Sequence, residues 1–164
     1  MLLYLIRHAH ALDDENDARR ILSERGRAQT RAMAGFLRAT PGFAPAEIWH
    51  STLVRARETA ELLAAGVKLP ARLIETPGLR PEDSPGRITP RFDHPGVASV
   101  ALVGHEPHLS ALASLLVAQT PEPRFLFPQC AVLALEGAAS YWQVRWHISP
   151  DLLPGPDARL FPTG

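Results

Sequence analysis

A chain of 164 residues with 46% hydrophobic composition can bury one core without disulfide or metal staples, so a single domain over 1–164 is expected, with a surface tail over 150–164. Seventeen basic and seventeen acidic residues cancel to a formal net charge of zero, which leaves no global attraction for nucleic acid or an anionic membrane. With one cysteine, Cys130, no internal disulfide can form, and the five-residue apolar run Leu2 to Ile6 is too short for a signal peptide or a membrane helix, so a cytoplasmic location is expected.

Leu2-Leu3-Tyr4-Leu5-Ile6 is continuous and lacks polar alternation, the pattern of a strand buried on both faces. Ser23 is placed to cap a helix carrying Ala28, Ala32, Met33, Phe36 and Leu37 at helical spacing, ended by Thr40-Pro41-Gly42. Glu47 to His50 reads as a second strand. Ser51 can cap a second helix through Leu62, Leu63 and Ala64, with Gly66 just past its end. Arg72 to Ile74 is a third strand. Thr76 to Pro95, rich in Pro, Gly and charge, reads as a long loop with one short helical piece. Val97 to Val103 is a fourth strand, and Pro107 sits at the first position of a helix carrying Leu109, Leu112, Leu115 and Leu116. Ala131 to Leu135 and Tyr141 to Ile148 form a hairpin turned by Glu136-Gly137-Ala138-Ala139. Strands alternating with helices predict an α/β fold of three layers, with a mostly parallel central sheet flanked by helices. Cys130, beside an apolar run, reads as a small core residue.

In open α/β sheets, ligands sit outside the carboxyl ends of the strands. Three clusters follow apolar runs directly: Arg7-His8, Ser51 to Arg57, and Gly104-His105. Two arginines can hold a phosphoryl group through planar forks of donors. A neutral histidine is a good nucleophile toward phosphorus. A second histidine, if protonated, donates to a phosphoryl oxygen. Helix starts near Thr52 and Pro107 add positive dipole ends. The side chains supply the cations, so neither a metal nor a cofactor is expected.

The segment Leu5-Ile6-Arg7-His8-Ala9-His10-Ala11 resembles the signature of the histidine phosphatase superfamily, whose fold is called phosphoglycerate mutase-like. Three further segments are similar to that family and occur in its order: Leu22 to Gln29, Ser51 to Ala60, and Leu102-Val103-Gly104-His105-Glu106-Pro107. Short length, the alanine after His8 and the Gly-His-x-Pro form resemble the branch of small phosphohistidine phosphatases of the SixA type. That resemblance implies that His8 becomes phosphorylated and that Arg7, Arg55 and His105 bind the phosphoryl group. The chain departs from the pattern at Glu106, where a neutral residue is common, and at His108, where a small one is common.

Larger relatives carry a Glu or Asp after the third strand to protonate a departing oxygen. Glu75, Glu82 and Asp83 are the candidates here, and none matches well. An imidazole leaves more easily than an alkoxide, so a phosphohistidine substrate tolerates the lack of an acid. His10 and Glu82 complete the expected substrate-binding set with Arg7, Arg55 and His105, and His10 is a second possible proton donor. His108 lies near the same pocket. His50, His94 and His147 read as surface or internally satisfied residues, and Arg57 and the run Asp13-Asp14-Glu15-Asn16-Asp17 as solvated. The leading expectation is a phosphatase for phosphohistidine on a signalling or phosphotransfer protein. A phosphatase for small phosphate esters and a non-catalytic phosphate-binding or phosphocarrier module are the alternatives.

Overall fold

The computed structural model describes residues 1–93, 98–139 and 141–153. Its sheet has six strands: β1 (Leu2–Arg7), β2 (Glu47–His50), β3 (Arg72–Glu75), β4 (Ser99–Gly104), β5 (Val132–Ala138) and β6 (Tyr141–Ile148). Their order is β3-β2-β4-β1-β5-β6. The β2–β3, β2–β4 and β1–β4 pairs are parallel, and β5 pairs antiparallel with both β1 and β6. Three helices, α1 (Glu24–Ala39), α2 (Val54–Val67) and α3 (His108–Ala118), cover the faces. This is the three-layer arrangement expected from the alternation of elements.

Side chains alternate across a strand, and β1 divides accordingly. Tyr4 and Ile6 pack with Met33 and Leu37 of α1 and Ala60 and Leu63 of α2. Leu3 and Leu5 pack on the other face with Leu109, Leu112 and Leu116 of α3. Burial on both faces explains why the β1 sequence is apolar without interruption. Among the described residues, no helix is long and apolar enough to cross a membrane.

Helix α1 begins as expected, with the Ser23 hydroxyl accepting from the Gly26 amide at 3.1 Å. Gly26 has a second reason to be glycine: a Cβ there would lie 2.0 Å from the backbone oxygen of His10. Helix α2 differs from expectation at both ends. Leu53 occupies its N-cap, and Lys68 closes it in the left-handed conformation at φ 62°. Gly66 therefore lies inside the helix, where its missing Cβ lets α2 approach α1; a Cβ would sit 2.7 Å from that of Ala34. Pro107 is the N-cap of α3 rather than its first residue.

The long connection after β3 is more ordered than its composition suggests. It forms two 3-10 turns, Pro85–Arg87 and Thr89–Asp93. Leu79, Ile88 and Phe92 from this stretch pack into the α3 side of the core. Strand β5 runs to Ala138, so Glu136 and Gly137 pair within the sheet instead of turning the hairpin. Cys130 is a buried free thiol, as expected of a small core residue, and burial pushes it up to about 12. His94, Val97 and most of the expected tail lie outside the described residues.

Candidate active site

Parallel pairing sets three strand ends side by side. Arg7 is in register with Gly104, and His50 with Val103. Two backbone bonds extend this alignment past the strands: the His8 amide donates to Gly104 O and the Ser51 amide to Val103 O, each at 3.0 Å. The residues that follow β1, β2 and β4 thus leave the sheet at one corner. His8 and His105 meet there, with ring centroids 4.9 Å apart and planes inclined at 51°.

His8 Nδ1 lies 2.7 Å from the backbone oxygen of Ala9. A carbonyl only accepts, so Nδ1 carries the hydrogen and Nε2 keeps the lone pair. The next amide, of Ala9, donates to Thr59 Oγ1, which in turn donates to Arg55 O at 2.7 Å. The loop holding His8 is thereby tied to the helix holding Arg55.

The two arginines are held in similar ways. Arg7 Nη1 donates to Phe127 O at 2.6 Å. Arg55 Nη1 donates to Asp17 O at 2.8 Å, and its Nη2 to Asp17 Oδ2 at 3.1 Å. In both, Nε is buried without a partner. Both ring nitrogens of His105 are in the same condition, as are those of His108. Among the described residues, the one other buried unpartnered side-chain oxygen or nitrogen is Ser99 Oγ. Buried polar groups are nearly always satisfied, so a concentration of unsatisfied donors at one corner marks a place built for an acceptor.

Electrostatics favour neutral imidazoles. Burial, reinforced by the charges of Arg55, Arg7 and Arg20 against a bond to Ala9 O, lowers His8 to about 4. Burial and the neighbouring His8, Arg55, His108 and Arg7 lower His105 to about 2. The sequence has His105 donating to a phosphoryl oxygen if protonated; burial, with the neighbouring His8 and the guanidiniums, instead favours its neutral form.

The other expected residues divide. His10 lies beside the site, but its Nδ1 is 2.7 Å from Ser23 Oγ and its amide donates to Gln29. It straps β1 to the start of α1. Glu82 points into solvent, with Arg80 as ion-pair partner at 3.9 Å. Glu75 is exposed. Asp83 accepts from the Arg80 amide at 2.8 Å and pairs with Arg87 at 3.2 Å. Glu106 is half-buried and receives hydrogen bonds from the Ser110 amide (3.1 Å) and hydroxyl. It therefore caps the first turn of α3, although its charge is still felt at Arg7. His50 is buried, its Nδ1 donating to Ser51 O at 3.0 Å.

Two participants escaped sequence reasoning: Asp17 and Arg20. Read as part of a solvated acidic run, Asp17 instead bridges Arg55 and Arg20, with Arg20 Nη1 at 3.3 Å from its Oδ1. The available signal was the Asp17–Arg20 spacing of three residues, close to the Arg-His motif.

This corner of a mostly parallel sheet, with two adjacent histidines whose rings are tilted toward each other and two anchored arginines, defines the histidine phosphatase class of site. Comparison with known proteins agrees. The profile of the histidine phosphatase superfamily (branch 1) matches residues 3–82. An uncharacterised protein of Picosynechococcus sp. (strain PCC 7002) is 30% identical over 162 residues, covering 95% of this chain and 97% of that protein. The phosphohistidine phosphatase SixA of Escherichia coli K12 is 28% identical over 155 residues, covering 92% and 94%. A solved structure of the protein histidine phosphatase SixA with tungstate superposes with a TM-score of 0.83 at 26% identity, covering 92% of this chain and 98% of that one. The chain belongs to the histidine phosphatase superfamily and is SixA-like.

Proposed function

We propose that the protein removes phosphate from phosphohistidine on a protein, by way of a phosphorylated His8. The observation that carries this is the corner where His105 touches His8, burial holds His8 neutral, the charges of Arg7 and Arg55 are felt at it, and all three neighbours keep buried unpartnered nitrogens. The similarity to SixA supports the choice of substrate.

Nε2 of His8 attacks phosphorus as the bond to the substrate imidazole nitrogen breaks; that nitrogen takes the bonding pair and, with a proton already on the ring's other nitrogen, the substrate histidine departs as neutral imidazole. The Nδ1–H bond to Ala9 O holds the ring with its lone pair exposed. Arg7, Arg55 and His105 donate to the phosphoryl oxygens, where charge builds in the transition state. Water then attacks the phosphorus of phospho-His8, releasing inorganic phosphate and restoring the neutral ring. Neither step needs a metal to bind the oxygens, because the two guanidiniums and His105 supply the donors. Glu75, Glu82 and Asp83 are turned to solvent or committed to arginines, which suits a leaving group that departs without a strong acid.

The test is phosphate release, without added metal, from a histidine-phosphorylated carrier protein and from an aryl phosphate, for wild type and His8→Ala. Release from the phosphoprotein that is faster than from the ester and lost in His8→Ala is expected. Faster turnover of the ester would move the protein to the small-ester phosphatases. Release from neither, with phosphate still bound, would leave only a binding module.

A further inference from the structure

The β1–α1 loop brings a carboxylate to a phosphate-binding arginine, where simple charge matching would not place one. Asp17 opens a 3-10 turn, Asp17–Arg19, capped by Asn16. Its backbone oxygen and Oδ2 accept from Nη1 and Nη2 of Arg55. Its Oδ1 accepts from Arg20, whose remaining nitrogens reach Leu12 O at 2.8 Å and Asp13 at 3.3 Å. Arg20 therefore spends all three nitrogens on the loop and stiffens it. Asp17 is itself largely exposed, whereas Arg55 is buried.

We propose that Asp17 is a positioning residue, which grips the outer edge of the Arg55 guanidinium and thereby aims its inner edge at the transferring phosphoryl group. A guanidinium has five donors in a rigid plane. Asp17 takes one from each terminal nitrogen, on the edge away from Nε. The donors left for a phosphoryl group include Nε–H, buried and unpartnered, and the Nη2 hydrogen beside it, a pair spaced for two oxygens. Asp17 leaves the Nε edge uncovered. Arg7 follows the same plan, with Phe127 O as the anchor and Nε unpartnered. The inference rests on reading the pocket as a phosphoryl-transfer site.

The experiment compares wild type, Asp17→Ala and Asp17→Asn as full chains. Calorimetry measures binding of inorganic phosphate and of orthovanadate, which mimics five-coordinate phosphorus. Turnover is measured on whichever of the phosphohistidine carrier protein and the aryl phosphate the wild type cleaves. Asp17→Ala should lower kcat about tenfold, with KM within about threefold, because misorientation acts on the transition state. It should weaken vanadate about tenfold and phosphate much less. Asp17→Asn keeps an oxygen acceptor and should recover most of both losses. Asp17→Ser, whose hydroxyl is too short to span to Nη2, replaces the alanine variant if that melts early. Tighter phosphate binding in both Asp17→Ala and Asp17→Asn would mean a competitor and overturn the proposal. So would a raised KM at unchanged kcat, or vanadate binding equal to wild type. If wild type cleaves neither substrate, the functional reading falls, while the ratio of vanadate to phosphate affinity still decides the role of Asp17.

Discussion

The corner beyond β1 and β4 and the β5–β6 hairpin treat polar groups in opposite ways. On the hairpin, Arg145 pairs with Glu136 across the strands at 2.8 Å, and Trp142 Nε1 donates to Ala139 O at 3.0 Å. At the corner, imidazole nitrogens and guanidinium Nε atoms are buried and unmatched. A buried donor without an acceptor costs about 1–3 kcal/mol, so a fold selected for stability alone would not gather several. The hairpin shows how this chain satisfies polar groups when structure is the only demand, and the corner shows what it tolerates for chemistry.

The largest expected effect lies at the centre of the corner. His8→Ala should abolish phosphate release, by about a thousandfold or more, while removing a desolvated ring should leave the thermal midpoint unchanged or raised. Arg55→Ala should cost about a hundredfold or more in kcat/KM, and Arg55→Lys should not recover it, because an ammonium lacks the planar edge. Steady-state kinetics on the phosphohistidine carrier protein checks both.

The framework around the corner should respond in stability. Gly26→Ala forces a methyl onto His10 O and should destabilise the protein by about 3 kcal/mol, seen as a lowered denaturant midpoint with weakened activity as the β1–α1 strap shifts.

The pH dependence follows from the depressed histidines. His8 acts as a nucleophile only when neutral, so kcat/KM should hold down to about pH 4 and fall below it, as protonation removes the lone pair. A free histidine would lose activity near its ordinary value of about 6.5. Stability has a matching sign: between about 6.5 and 4 the unfolded chain takes up a proton that folded His8 refuses, so folding weakens as pH drops through that window and is independent of this group above it. In His8→Ala part of that slope should disappear. The smallest effect belongs to the hairpin: breaking the half-exposed Arg145–Glu136 pair by Arg145→Ala should cost no more than about 1 kcal/mol and leave turnover unchanged.

Much of the corner was legible because its chemistry is local in the chain. Arg7-His8 and Gly104-His105 each follow a strand whose apolar pattern is unmistakable, and parallel pairing does the rest. Arg55 was found by its motif, yet its helix begins two residues after Thr52, because Leu53 takes the cap instead of Ser51. Asp17 was missed because its partner lies 38 positions away, and nothing in an acidic run says which carboxylate meets a buried arginine. Gly66 looked like a helix end, since glycine usually marks one; the need for closeness to Ala34 is visible only once α1 and α2 are packed. Leu79, Ile88 and Phe92 were hidden among prolines and charges, where periodicity gives no signal.

The most direct test of the account is to trap the intermediate. Wild-type protein mixed with the phosphohistidine carrier protein would be quenched in alkali within the first turnovers and mapped by mass spectrometry. Phosphate on His8, absent from His8→Ala, is the predicted result. Turnover with no phosphorylated enzyme, or with phosphate on His105 in place of His8, would contradict it.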